Sequence, residues 1–253
     1  MKLIHNFKSP NFNDRKSYNI ELIIIHYTAL SSVSKSIKHL CSKKNKVSSH
    51  YLISQKGEIY SLVPEKKRAW HAGQSYWKGK RDINSISIGI ELDYSPLGTN
   101  SKFTKRLNAS LMFLLKKLIK KYKILPENIL GHSDIAPYRK IDPGKKFPWY
   151  LLENKKLSNK IILIKNHTLR KKLINEWFYK NKLKPINKRI LFMLNFIGYD
   201  ISLALKNKLY FNMLIKTYCH RYKLYKNYYY NKNKIFNIIE SHFFNIMLTK
   251  NKK

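Results

Sequence analysis

The sequence predicts an α/β (α+β) fold: a central mixed β-sheet flanked by helices, followed by a small C-terminal helical bundle. Three observations predict it. Before residue 150, short apolar runs interleave with helical patterns, as they do around a single sheet. Seven of the eight glycines and ten of the fourteen acids lie in that stretch, so the turns are concentrated there. The rest is rich in Lys, Asn and Tyr, with long apolar segments at helical spacing. A boundary near residue 152 follows, giving domains 1–152 and 153–253.

Taken in order, ELIIIHYTA is a continuous apolar run, the mark of a buried strand, ending at His26. A short helix is expected from Ser32 to Ser42. SHYLISQKGEIYSLV alternates on both sides of Lys56-Gly57 and predicts a hairpin. SISIGIELD predicts a strand from Ser85 to Asp93. Leu107, Leu111, Leu114, Leu115, Leu118 and Tyr122 share one helical face, so Lys105–Tyr122 is an amphipathic helix. Ile129–Gly131 is a short strand delivering His132. Beyond the boundary, helices are expected at about 188–197, 203–220 and 233–247, with Gly198 stopping the first.

Composition excludes several classes. Hydrophobic residues make up 43%, enough for a core, so disorder along the whole length is excluded. Cys41 and Cys219 lie far apart and outside any C-x-x-C pattern, leaving neither a disulfide framework nor a cysteine zinc site. No uncharged apolar run approaches the ~20 residues of a membrane span. Charge and Pro break up MKLIHNFKSPNFNDRK before any signal-like apolar region develops, so a cytoplasmic protein is expected. The formal net charge of +37 invites a polyanion such as nucleic acid or anionic cell-wall material. Yet the excess is mostly Lys, accompanied by Asn and Ile and spread along the chain, as compositional drift would leave it. No nucleic-acid motif accompanies it, so no nucleic-acid partner is expected.

Three residues combine metal-ligating side chains with strand or loop ends. His26 closes an apolar strand, His132 stands in GHSDIAP, and Asp142 follows ten residues later in RKIDPGKKFPW. Two imidazoles and a carboxylate, with a fourth position for water, have the composition of a catalytic zinc site. Singly, each has a plainer reading, since a histidine at a strand end is commonly packed and Asp before Pro-Gly is commonly turn chemistry.

The words around them go further. IIIHYTA, SSHYLISQKGEIYSLVPE, AWHAGQSYWKG, INSISIGIEL and LPENILGHSDIAPYRKIDPGKKFPW resemble, in order over roughly residues 20–150, the zinc-dependent N-acetylmuramoyl-L-alanine amidases of the second amidase family. This is the AmpD/AmiD group, related to peptidoglycan recognition proteins, and the wording is nearer its AmiD-like branch. The resemblance implies hydrolysis of the amide between the lactyl group of N-acetylmuramic acid and L-alanine, in peptidoglycan or in muropeptides, during cell-wall turnover. It implies zinc held by His26, His132 and Asp142, Glu91 as catalytic acid, and Lys140 as its catalytic partner. The chemistry agrees: a carboxylate can move the proton of an acidified water, and a fixed ammonium can face the developing oxyanion. Lys140 and Asp142, two apart, share a side in extended chain. Strand alternation by itself sends Glu91 to solvent, opposite Ile88 and Ile90.

The family also places His71, in AWHAG, beside the substrate groove, and makes it a substrate contact. Arg81 is a second such candidate and Arg139 another, because a guanidinium holds a carboxylate bidentately. His50 reads as a framework residue; Trp70 and Trp77 fit either core or groove wall. Residues 153–253 resemble, through IGYD and the helix after it, a degenerate peptidoglycan-binding-like domain in which Asn and Lys stand where turn glycines are expected. The Tyr-rich stretch 225–234 is either a stacking surface or a solvated loop. The AmiD-like branch is usually exported, which makes the cell envelope the alternative compartment. A non-catalytic peptidoglycan-recognition module is the alternative function.

Overall fold

In the computed structural model, residues 3–16, 19–164, 169–183, 185–222 and 232–250 are described. Eight strands occur among them: β1 (Leu3–Ile4), β2 (Phe12–Asp14), β3 (Leu22–Tyr27), β4 (Tyr51–Ile53), β5 (Ile59–Ser61), β6 (Lys67–Ala69), β7 (Ser87–Leu92) and β8 (Ile129–Gly131). Six form one mixed sheet in the order β1-β5-β4-β7-β3-β8, with β4 and β5 antiparallel and every other pair parallel. β2 and β6 form a separate antiparallel ribbon. β3 and β7 lie inside the sheet and are covered on both faces, which is why LIIIHY reads as an unbroken apolar run. The hairpin stands as expected, with Gly57 at φ +86° in its turn.

The helices are α1 (Val33–Leu40), α2 (Ile83–Ile86), α3 (Lys105–Tyr122), α4 (His132–Ile135), α5 (Trp149–Asn154), α6 (Leu169–Lys180), α7 (Ile186–Ile197), α8 (Lys208–Arg221) and α9 (Lys232–Lys250). α3 occupies the predicted span. Thr104 caps it by accepting from the Leu107 N–H, and Lys123 ends it in the left-handed region. Its leucine stripe joins Ile23, Ile25, Ile88 and Ile90 in the main core. The opposite sheet face carries Ile24, His26, Gly89 and Glu91 by alternation; there Leu52, Tyr60 and Leu62 pack with Ile37 and Leu40 of α1.

Residues 1–76 and 80–159 form one compact unit; residues 160–253 together with Trp77–Gly79 form the other. Within the second, α7 and α9 share the closest packing, around Ile190, Leu194, Ile197, Ile239 and Phe243. Gly198, at φ +139°, ends α7, and its carbonyl accepts from the Lys78 N–H at 3.0 Å.

Three local expectations change. Ser85 and Ile86 belong to the helical turn α2 instead of the strand, because the Ser85 N–H and hydroxyl both bond back to Asp82. α8 begins at Lys208, since Asn207 accepts from the Leu209 N–H and caps it. α6 is an additional helix whose apolar residues Leu169, Leu173 and Trp177 face outward, so no core-facing stripe announces it. Most of the Tyr-rich stretch, 225–231, lies outside the described residues. No helix among the described residues is long and apolar enough to cross a membrane.

Candidate metal centre and cleft

The parallel register sets the first two groups side by side. His26 on β3 pairs with Glu91 on β7, and paired residues of adjacent strands project to the same face. β8, on the other side of β3, ends at Gly131 and hands the chain to His132, the first residue of α4. Asp134 Oδ2 takes the Gly131 N–H at 2.7 Å and holds that junction tight. The chain then turns over Ala136–Lys140 and returns, and the Ser133 N–H bonds the Asp142 carbonyl at 2.9 Å. Asp142 is thereby laid against the two imidazoles.

The convergence is close. His26 Nδ1 lies 3.0 Å from His132 Nδ1, and Asp142 Oδ2 lies 3.2 and 3.1 Å from them. All three residues are buried, at 2%, 4% and 8% exposure. His132 Nε2 is 3.1 Å from the Ala72 carbonyl, which can only accept, so the ring's proton sits there and a neutral ring turns its Nδ1 lone pair inward. That lone pair meets a carboxylate oxygen. Acceptors facing acceptors in a buried place repel unless a cation lies between them. Tetrahedral zinc, with bonds of about 2.0–2.2 Å, puts its donors roughly 3.3 Å apart, close to this triangle. The residues therefore fit a metal ion.

Charges follow the same geometry. Burial lowers the His26 pKa to about 4, helped by His132, so this ring stays neutral at pH 7. Burial raises the Glu91 pKa, Asp142 adds to the rise and Lys140 opposes it, which leaves the carboxyl at about 8. Glu91 Oε2 is buried without a hydrogen-bond partner among the described residues. Alternation set Glu91 opposite the core as expected, but that face is the wall of a cleft and not bulk solvent.

The cleft holds about 350 Å³, and its lining includes His26, Glu91, Lys140 and Asp142 together with Trp70 and His39. Trp70 is thus a cleft wall, its indole N–H given to Asn13, whereas Trp77 is buried edge-on against Tyr199 in the second unit. His50 is a framework residue: its Nδ1 accepts the Gly89 N–H and its Nε2 meets the Lys67 carbonyl, both at 3.0 Å.

Three residues expected near the substrate are placed as follows. Arg81 is exposed over the Tyr76 ring and does not line the cleft. Lys78 and Gly79 turn the chain at positive φ, and Lys80 pairs with Glu21, just before β3, at the strand end away from His26. Arg139 does line the cleft, but its Nη2 is engaged by the Ala72 and Gln74 carbonyls at 2.9 and 2.7 Å. His71 lines the cleft, and its nitrogens face His26 Nε2 at 3.0 Å and Ser87 Oγ at 3.2 Å. The contribution of α1 through Ser36 and His39 was absent from the sequence reading; its signal, two polar residues beside an apolar stripe, is common to any surface helix.

The sequence profile of the N-acetylmuramoyl-L-alanine amidase family matches residues 16–145. The chain belongs to that family. Among family members, it is 42% identical over 146 residues to the N-acetylmuramoyl-L-alanine amidase AmiD of Escherichia coli, covering 53% of this chain and 52% of that protein. The chain spans about half the length of most curated relatives it matches. The structure of E. coli AmiD with the substrate anhydro-N-acetylmuramic acid-L-Ala-D-gamma-Glu-L-Lys superposes with a TM-score of 0.71 at 28% identity, covering 90% of this chain and 91% of that one. AmpDh3 of Pseudomonas aeruginosa, in complex with anhydromuramic pentapeptide, gives 0.70 at 27% identity, covering 93% and 96%.

Proposed function

We propose that this protein hydrolyses the amide between the lactyl group of N-acetylmuramic acid and L-alanine in peptidoglycan fragments, with zinc held by His26, His132 and Asp142. The observation that carries the reading is the placement of these three donors in one cleft with Glu91 and Lys140. Zinc, when bound, supplies a Lewis acid that acidifies water and polarises a carbonyl. Glu91, whose buried Oε2 has no hydrogen-bond partner among the described residues, takes the proton of the attacking water and returns it to the departing amine. Lys140 faces the carbonyl oxygen as negative charge builds on it. The muropeptides in the related AmiD and AmpDh3 structures support the substrate class. Those structures also extend over most of this chain, which supports reading residues 153–253 as a degenerate peptidoglycan-binding-like domain.

The test is mass spectrometry of muropeptides incubated with the protein plus zinc, with a chelator, and with Glu91→Ala. Release of free stem peptide, abolished by both treatments, is the expected result. Muropeptide retained uncut by the zinc-loaded protein would overturn hydrolysis in favour of recognition alone.

A further inference from the structure

His71 was expected to touch substrate, yet neither of its nitrogens is free to do so. Following the protons explains what it does instead. The Ile83 carbonyl accepts only, and Ser87 Oγ lies 2.6 Å from it, so the hydroxyl proton is committed there. Ser87 Oγ must then accept from its other neighbour, His71 Nε2, at 3.2 Å. A neutral His71 protonated at Nε2 carries its lone pair at Nδ1, and that atom lies 3.0 Å from His26 Nε2. His26 therefore donates from Nε2, and its own lone pair stands at Nδ1, facing His132 Nδ1 and Asp142 Oδ2.

We propose that Ser87 and His71 are positioning residues that hold His26 in its Nε2–H tautomer, so that the Nδ1 lone pair is turned toward the metal before the metal arrives. The inference rests on the reading of His26 as a ligand. His132 receives the same instruction in one step from the Ala72 carbonyl, whereas His26 receives it through two side chains. The surroundings are built for the His71 ring. A Cβ on Gly89 would stand 2.4 Å from its Cγ, so β7 carries glycine where the ring crosses it. Asn84 Oδ1 accepts both the His71 and Ala72 N–H groups, at 3.1 and 2.8 Å, and fixes the loop that presents them. The His26 and His71 rings meet at 80°, which aims one ring edge at the other. In the opposite tautomer, His26 would point a proton at the metal position.

The test measures zinc dissociation constants by competition with a chromophoric chelator, alongside long-range ¹H–¹⁵N correlation of the imidazoles in metal-free protein. Wild type should show His26 as the Nε2–H tautomer. His71→Leu, which removes the acceptor, should weaken zinc binding about 10–100-fold, the usual cost of losing such a partner. His71→Asn, whose amide oxygen can stand where Nδ1 stood, should stay within about threefold of wild type. Ser87→Ala is a smaller change should His71→Leu fail to fold, and it should weaken zinc binding in the same direction. Equal losses in His71→Leu and His71→Asn would assign His71 to packing and overturn the proposal, as would His26 protonated at Nδ1 in wild type. Unchanged affinity in both His71→Leu and Ser87→Ala also overturns it. A wild type that takes up no zinc defeats the ligand reading, and this inference falls with it.

Discussion

Glu91 and His26 are neighbours through a strand pairing, and their exchange of roles can be tested one side chain at a time. Glu91→Gln keeps the shape and removes the base, so kcat should fall about a hundred- to ten-thousand-fold while zinc content, read by metal analysis, is unchanged. A parallel loss of zinc would show Glu91 acting as a ligand instead. Lys140→Met should lower kcat about a hundred- to thousand-fold with little change in substrate affinity, because its charge acts on the transition state. At this scale the cluster of His26, His132 and Asp142 was legible, since each closes a strand or loop in a recognisable word. The hydrogen-bond partners of His71 and the exposed placement of Arg81 were not. His71 is defined by what lies across the sheet from it, and Arg81 by a turn and an ion pair, Lys80 to Glu21, that carry it to the far end of β3.

Among the elements, α3 does most to back the sheet. Leu115 is fully buried in the core against the strands that carry His26 and Glu91. Leu115→Ala should cost about 2–5 kcal/mol in unfolding free energy, measured by denaturant titration. Thr104→Ala, which removes the cap of the same helix, should cost about 1 kcal/mol. A larger loss from the cap than from the core would show that α3 is held by its end and not by its stripe. The span of α3 could be read directly because a buried amphipathic face writes its period into the sequence. α6 could not, because Leu169, Leu173 and Trp177 are exposed while Phe178 is buried, so its apolar residues impose no clear period. The false strand start at Ser85 has a similar origin: a hydroxyl that bonds backward to Asp82 overrides an apolar alternation.

At the scale of the molecule, charge and buried histidines set how stability responds to solvent. Burial lowers His50 and His242 to about 3, with Arg15 acting on the first and Arg221 on the second. Between those values and the ordinary value near 6.5, the unfolded chain binds protons that the folded chain refuses. Stability therefore falls as pH falls through that window. The thermal midpoint should drop steadily from about pH 7 to about pH 5, and His50→Gln should flatten part of the slope. A midpoint that rises on acidification would contradict the burial of these rings. The net charge of +37 adds self-repulsion, so raising salt from about 0.01 M to about 0.15 M should raise the midpoint. The strand–helix alternation of the first unit was visible in its apolar runs and helical spacing. The grouping of Trp77–Gly79 with the second unit was not, because it depends on pairings such as Lys78 with Gly198 across more than a hundred residues.

The pairing of His26 with Glu91 gives the cleft a ruler. Adjacent strands stand about 4.8 Å apart because peptide hydrogen bonds have one length, whatever side chains they carry. The interval between the His26 and Glu91 backbones is therefore a rung of the sheet and does not depend on a loop that could lengthen or slide. Lysine and asparagine can accumulate over the rest of the surface, as they have here, without altering that interval by a fraction of an ångström.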